Sequence, residues 1–430
     1  MRNTWWLAAL SAVLSLAAGC HNGGHAQNST DMRAVNAVID SDPLDVLVAG
    51  DMKFTGLTYG ATSPFAEFSA GSQEVALRST SNQAVFYDKT LNFGSGANTT
   101  LLIYGTRSSM SVLPLADDIT SPDTSPASGN FKLRAVGASA DSGPVDVYAT
   151  QATDISNAPA TLGAVTLGLA SGYAEETAGS YRLVFTVAGT KDILFSSAPQ
   201  ALTAGTVYTV AVLPSGGGKL ANALLLAQGS GGSGTMLPNP DGRLKAVNAV
   251  PDSTAFNFKA DGQTLLSSVP FAGSSSYVAL AAGAHTLQLE ASNVPGTPVA
   301  SLAQQVDPAR DYTAVAVNSL SGAQLVTFTD DNTLPPAGFA KLRFANALLD
   351  SGGTDVLVNF ASQVSGLPYK SASSYYTFAP ATNYTITFAT PGGVSVITTL
   401  TPVEIDAGGV YTAYLFGTAS SPQARLVRDR

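Results

Sequence analysis

The residues of this chain readiest for chemistry are carboxylates gathered near turns. Asp40, Asp42 and Asp45 fall close together, and Asp141 with Asp146, then Asp350 with Asp355, repeat part of that layout. Asp117, Asp118, Asp123, Asp330 and Asp331 lie in stretches rich in Pro, Ser and Gly. Hard oxygen donors of this kind suit Ca²⁺, and Asp40, Asp42, Asp45, Asp350 and Asp355 are the candidate ligands. The commoner role of such residues is to close turns by bonding their own backbone, so no resident metal or cofactor is expected. A second set is aromatic: Tyr59 and Phe65, Phe271 and Tyr277, and Tyr369 with Tyr375 and Tyr376 recur at corresponding places. Turned outward, Tyr59, Tyr375 and Tyr376 would stack on sugar rings. Turned inward they are core, as alternating aromatics in sandwiches usually are.

Catalytic constellations are harder to assemble. A Ser-His-Asp hydrolase needs a histidine base. His285 is the one histidine beyond the first thirty residues, and no Gly-x-Ser-x-Gly segment accompanies it. His21 and His25 have no third ligand near them and read as tether. Glu175-Glu176, the one adjacent Glu pair, reads as a solvated loop. The run Gly229-Ser230-Gly231-Gly232-Ser233-Gly234 spells a dinucleotide loop, but Pro238 and Pro240 forbid the helix that such a loop must open. An enzyme is therefore not expected, and an envelope hydrolase is the weakest of the alternatives. With a formal charge of −9 and only 12% charged residues, the chain shows no Lys/Arg cluster. Nucleic acid and anionic lipid surfaces are excluded as partners on that ground.

The single cysteine, Cys20, follows an apolar run from Trp5 to Ala18 that carries no charge. The run is too short to span ~30 Å of hydrocarbon and fits the hydrophobic region of a signal peptide. It closes as Leu16-Ala17-Ala18-Gly19-Cys20, which resembles a bacterial lipoprotein signal, with small residues before a cysteine whose thiolate takes the lipid. Ala17 stands where that signal prefers Leu, and Leu16 is one place earlier. The resemblance implies a signal peptide over 1–19, palmitate and diacylglycerol on Cys20, and a flexible tether over 20–30. At about 0.8 kcal/mol per buried CH₂, two or more chains make a stable membrane anchor. His21, rather than Asp, after the cysteine points to the outer membrane, on its periplasmic or surface face.

One phrase organises the remainder. Arg33-Ala34-Val35-Asn36-Ala37 returns as Arg134-Ala135-Val136-Gly137-Ala138, Lys245-Ala246-Val247-Asn248-Ala249 and Arg343-Phe344-Ala345-Asn346-Ala347. The spacing, about 100 residues, is that of a domain rather than of a solenoid repeat. After it, each copy alternates apolar and polar residues in short runs broken by turns. In the third copy Phe256 to Lys259 leads into Asp261-Gly262, a strong hairpin signal, and Tyr312 to Val317 reads as a buried strand. About seven short strands with turns every 8–12 residues make a β-sandwich.

The opening phrase, the Asp-Val-x-Val strand of Asp45 and Asp355, and the late Tyr-Thr strand of Tyr208, Tyr312 and Tyr411 together resemble the bacterial domain-of-unknown-function 4397 family. The second copy departs most, with Gly137 for Asn and an insertion near Gln151 to Thr161. The resemblance implies a secreted or cell-surface β domain, often lipid-anchored, and brings no catalytic residues. The expectation is all-β: four tandem Ig-like or transthyretin-like antiparallel sandwiches over 31–116, 130–228, 242–330 and 339–430. Linkers over 117–129, 229–241 and 330–338 would join self-sufficient units, and a 13-residue flexible linker, spanning about 20 Å, lets such units move unless they pack on each other. Such a string suits a non-catalytic envelope spacer or a protein-binding, adhesive array, with an envelope protein as partner. An array of carbohydrate-binding modules, with a glycan partner, is the alternative.

Overall fold

The computed structural model describes residues 29–96, 98–117, 125–229 and 231–430. The leader, Cys20 with its tether, and Asp118 and Asp123 lie outside them. Strands dominate, and they fall into eight sheets, two to each copy of the phrase. In the third unit, Val278–Ala281, Asp241–Asn248, Asp311–Val317 and Gln324–Asp330 lie side by side in one sheet. Gln263–Pro270, Ala255–Ala260, Gly283–Ala291 and Pro298–Val306 form the other. Ala255–Ala260 alternates half-buried and buried residues as a one-sided strand should. Asp261 and Gly262 turn it with φ of 51° and 80°, the left-handed pair of a tight hairpin. The first and fourth units repeat this order.

The sandwiches are not wholly antiparallel. In every unit the strand of the phrase runs parallel to the late strand, which carries Tyr-Thr in units 2 to 4 and Thr99-Thr100 in unit 1. The register places Arg33 beside Thr100, Arg134 beside Thr209, Lys245 beside Thr313 and Arg343 beside Thr412. These two central strands are buried almost throughout. Parallel strands covered on both faces carry continuous apolar runs rather than alternating ones, and that is how the phrase reads.

The second covering is where expectation and structure part. Leu244, Ala246 and Val250 face the core of their own sandwich, whereas Val247 and Ala249 face a different core, built with Val315 and Val317 and with Ala345, Ala347, Tyr414 and Phe416 of the fourth unit. Likewise Val35, Ala37 and Leu102 of the first unit pack on Val136, Ala138, Ala211 and Leu213 of the second. The units are therefore not self-sufficient beads. They are two pairs, 1 with 2 and 3 with 4, each joined sheet to sheet. Fully burying one Val or Leu contributes roughly 1.5–3 kcal/mol, so these second cores are far too stabilising to open freely. The stretch from Gly229 to Asp241 is also not a free linker. Gly234–Leu237 pairs with Ala221–Ala227 as a fifth strand, and buried Asn239 bonds the carbonyls of Leu194 and Ala221.

The asparagine of the phrase pins the strand end. Asn248 donates to the Val269 carbonyl and Ser253 hydroxyl and accepts from the Val250 N–H. Asn36 and Asn346 repeat all three bonds. In the second unit Gly137 stands there because the chain at Thr166 and Leu167, beyond the insertion, passes over it: a Cβ would lie 2.2 Å from the Thr166 carbonyl oxygen. Two opposite substitutions should both give a loss of stability in chemical denaturation. Asn248→Ala, which leaves a buried carbonyl and N–H unpaired, should lose about 2–3 kcal/mol. Gly137→Asn, which restores the residue of the other three copies, should destabilise rather than stabilise; a gain in stability would refute this account of the pin.

Candidate functional site

The base that opens each phrase points neither to solvent nor into its own sandwich. Position 245 alternates with Leu244 and Ala246, so the Lys245 side chain enters the interface between units 3 and 4, where Asp429 binds its ammonium. From the other side Arg343 reaches back to Asp330. Both ion pairs cross from one unit to the other, and all four side chains are 2% exposed or less. The parallel register supplies further partners. Thr412 Oγ1 donates to Asp429 at 2.6 Å and Thr313 Oγ1 to Asp330 at 2.6 Å. Arg343 Nε donates to Thr412 at 3.0 Å. Aromatic rings cap the cations: Tyr375 lies 4.8 Å from the Arg343 guanidinium and Tyr277 5.2 Å from the Lys245 ammonium.

The first pair holds a modified copy. Arg33 and Arg134 converge on one carboxylate, Asp117, at 3.2 and 3.0 Å. Arg33 Nε bonds Thr100 at 2.7 Å and Arg134 Nε bonds Thr209 at 2.9 Å. Gln228 occupies the place of a second carboxylate, and its amide oxygen, turned to Arg134, accepts at 3.2 Å. Phe65 and Tyr173 supply the rings. The two centres thus differ in charge: two cations and one carboxylate in pair 1–2, two and two in pair 3–4.

Burial sets the electrostatics. Burial alone would lower Lys245 and Arg343, but the facing carboxylates and neighbouring groups carry both above their ordinary values. With a single carboxylate shared between two guanidiniums, burial wins at Arg33, which is lowered, and at Asp117, which is raised. Burial raises the Tyr277 and Tyr375 phenols. Charges sealed in this way cannot meet a substrate. What the arrangement can do is hold two sheets in one register.

Four of the five candidate calcium ligands, Asp40, Asp42, Asp45 and Asp355, have structural partners. Asp40 accepts the Arg107 N–H at 2.9 Å, and Asp42 pairs with the Arg107 guanidinium at 2.9 Å. Asp45 accepts from Thr55, Gly56 and Thr80, bonds that outweigh its burial and hold it below the usual range. Asp355 accepts the N–H groups of Gly366 and Gly392 at 2.6 and 2.8 Å. Asp146 and Asn257 bond Ala164 and Ser268 in the same way. Gly56, Ala164, Ser268 and Gly366 all have φ between 50° and 67°, so this acid or amide braces a left-handed bulge in each unit. Asp350 lies in a left-handed turn, φ 61°. Among the described residues no three His, Cys, Asp or Glu side chains gather as a metal site. Asp117 and Asp330, read as linker acids, belong to the two ion centres, the second of which also holds Asp429.

The aromatic candidates face inward. Tyr59 lies in the interface of pair 1–2, bonded to the Pro214 carbonyl and Asn222, and burial pushes its phenol up to about 12. Tyr369 plays the same part in pair 3–4, bonding Asn318. Tyr375 covers Arg343, and Tyr376 packs on Phe344 in the fourth core. His285 bonds the Asp261 carboxylate through Nδ1 and the Ala281 carbonyl through Nε2, each at 2.7 Å. Both partners are acceptors, so the ring is placed to carry two protons.

Comparison with known proteins adds the following. Residues 30–148, 242–352 and 340–430 match the family described as Domain of unknown function (DUF4397). No curated protein matches. Among solved structures, the chain is similar to a family 26 carbohydrate-binding module of Amy13K from Eubacterium rectale, solved with maltoheptaose. The identity is 13%, the match covers 43% of this chain and 92% of the other, and the TM-score is 0.15. A second is the SGBP-B protein of a Bacteroides ovatus mixed-linkage glucan utilization locus, solved with a mixed-linkage heptasaccharide, at 11% identity, 81% and 87% coverage and a TM-score of 0.09.

Two measurements check the site. Arg343→Met strands Asp330 and should lose about 3–5 kcal/mol, whereas Arg343→Met with Asp330→Leu should return most of it; a single-variant loss below about 1 kcal/mol would rule out the lock. The second measurement is pH dependence. The Asp261 bond raises His285, so its stabilisation is complete below about pH 6.5, the unfolded value, and is lost as pH rises through the folded one. Asp261 is lowered, first by the Thr286 N–H and then by His285. Its share is present above about pH 4 and lost as pH falls through the lowered value. The melting temperature should therefore fall as pH rises from about 6 to 8.5, and His285→Gln should remove that part of the slope.

Proposed function

We propose, from the premise that this chain belongs to the DUF4397 family of domains of unknown function, that it is a non-catalytic, lipid-anchored protein of the bacterial cell envelope. In this reading it sits on the outer membrane through Cys20, and its four sandwiches form a stiff scaffold that holds a binding surface away from the bilayer. One observation carries the scaffold: the first residue of every phrase, a cation, is used to join two units through a buried ion centre. A flexible string would gain nothing from burying those charges. The anchor rests on the leader and on the placing of the single cysteine directly behind it. The inward-turned Tyr59, Tyr375 and Tyr376 supply no outward stacking platform for a glycan.

The test is metabolic labelling in a bacterial host. Labelled palmitate should enter the wild-type chain and not Cys20→Ser, and only the variant should appear in the soluble fraction after lysis. An unlabelled wild-type chain, or a variant that stays with the membrane, would sink the anchored reading.

A further inference from the structure

Units 2 and 4 meet at a cleft of about 340 Å³ whose floor is the loop Ser142-Gly143-Pro144 and whose walls carry Lys219, Arg428 and Arg430. For a chain of formal charge −9 this is an unusual gathering of cations. Each is differently bound. Lys219 is half-buried and has neither hydrogen bond nor ion pair among the described residues. Arg430 is held chiefly by neutral acceptors, donating to the main-chain carbonyls of Asn332 at 2.8 Å and Asp141 at 2.6 Å; its nearest carboxylate contact, Asp141, is 3.7 Å away. Arg428 gives Nη1 to the Asp406 carboxylate at 2.9 Å and Nε to the terminal main-chain oxygen of Arg430 at 2.6 Å, which leaves Nη2 without a partner. Burial, then Arg430, Arg243 and Arg428, hold the Lys219 ammonium below the usual lysine range.

A half-buried ammonium with no acceptor, beside Arg430, which main-chain carbonyls orient, and Arg428, whose one side-chain carboxylate partner leaves Nη2 open, is suited to an anion. We propose that this cleft binds a tetrahedral oxyanion, a phosphate or sulfate group borne on a small molecule. Three cationic side chains line it from two units, and the oxygens of a tetrahedral anion, spread in three dimensions, can meet donors from both sides where a planar carboxylate meets them in one plane. The volume exceeds that of a bare phosphate and leaves room for a sugar-sized body. Because Lys219 comes from unit 2 and the arginines from unit 4, an anion held there ties the first pair of sandwiches to the second. The site does not depend on the lipid, so its failure and that of the anchor are separate results.

The test uses the full chain in detergent, titrated with inorganic phosphate, inorganic sulfate, a hexose 6-phosphate and, as a carboxylate control, acetate. Calorimetry and ³¹P line width report binding. Phosphate or its sugar ester should bind and raise the melting temperature, added NaCl should weaken binding, and acetate should bind at least tenfold more weakly. A hexose 6-phosphate stronger than inorganic phosphate identifies an ester as the ligand type; equal binding identifies the free anion. Lys219→Met should lower affinity at least tenfold. Arg428→Gln, at a half-exposed side chain whose loss leaves the fold intact, should lower it severalfold. Absence of any heat or line broadening in the wild-type chain, or unchanged affinity in a folded Lys219→Met or Arg428→Gln, overturns the proposal.

Discussion

A strand that is apolar on both faces must be covered on both, and the phrase strand of this protein can cover only one face from within its own unit. One set of alternate positions closes its own sandwich, and the other set needs a neighbour. Pairing of units is the consequence, and the neighbour that satisfies the need is a sheet with the same need. Each pair is therefore built from like surfaces: Val247 and Val315 of one unit meet Ala345 and Tyr414 of the next. The base at the head of each phrase is then carried between the sheets by the same alternation. A lone buried cation would be strongly destabilising, so a carboxylate has to meet it there. The acid at the end of the last strand does so, held by the threonine that the parallel register places beside the base. Apolar burial supplies the adhesion, and the ions select one register out of the several that flat, greasy sheets would allow.

The difference between the pairs follows from the same logic. In pair 3–4 each cation crosses to the other unit's carboxylate, and the charges cancel. In pair 1–2 Gln228 replaces one carboxylate, so Arg33 turns to the Asp117 of its own unit and to the Gly232 carbonyl, while Arg134 crosses to share that same carboxylate. Lost charge complementarity is replaced by neutral acceptors and by the fifth strand, Gly234–Leu237, whose Met236 packs into the interface. The glycines just before that strand do have a role: they let the chain turn back over the joint. A literal dinucleotide-loop pattern is thereby explained by backbone approach, with Gly232 lying where a Cβ would strike the Ala227 carbonyl at 2.1 Å.

Local elements were legible in the sequence because their causes are local. Alternation marks Ala255–Ala260, Asp261-Gly262 marks its turn, and the repetition of the phrase marks four units. The partner of each unit was not legible. Val35 and Ala37 look the same whether the second face is covered by a loop, a linker or another sheet. A signal was present nonetheless: five consecutive residues with a cation at one end and no polar position except the asparagine is too apolar for a one-sided strand. Asp117 and Asp330 were misplaced for a related reason. They stand at the end of the last strand, directly before linker-like chain, so composition assigns them to linkers, while the structure buries both in the ion centres. The bracing role of Asp45, Asp146, Asn257 and Asp355 was hidden because the N–H groups they bind lie eleven or more residues onward.

The joint between the pairs is built differently from the joints within them. Gly217 approaches the Ala309 carbonyl so closely that a Cβ would sit 2.1 Å from it, and Gly218 presses on Asn332. Arg310 donates to the Gly216 carbonyl, the Leu334 N–H to Asp141, and Arg430 to the Asp141 carbonyl. These contacts are polar, main-chain rich and thin, and each of the apolar cores between units lies wholly within a pair. Polar seams of this kind resemble transient interfaces and yield before hydrophobic ones do. Any bending of the scaffold should therefore occur between units 2 and 3–4, not within the pairs. That places Lys219 and the arginines of the cleft at the seam where a bound anion can alter the mechanics of the whole.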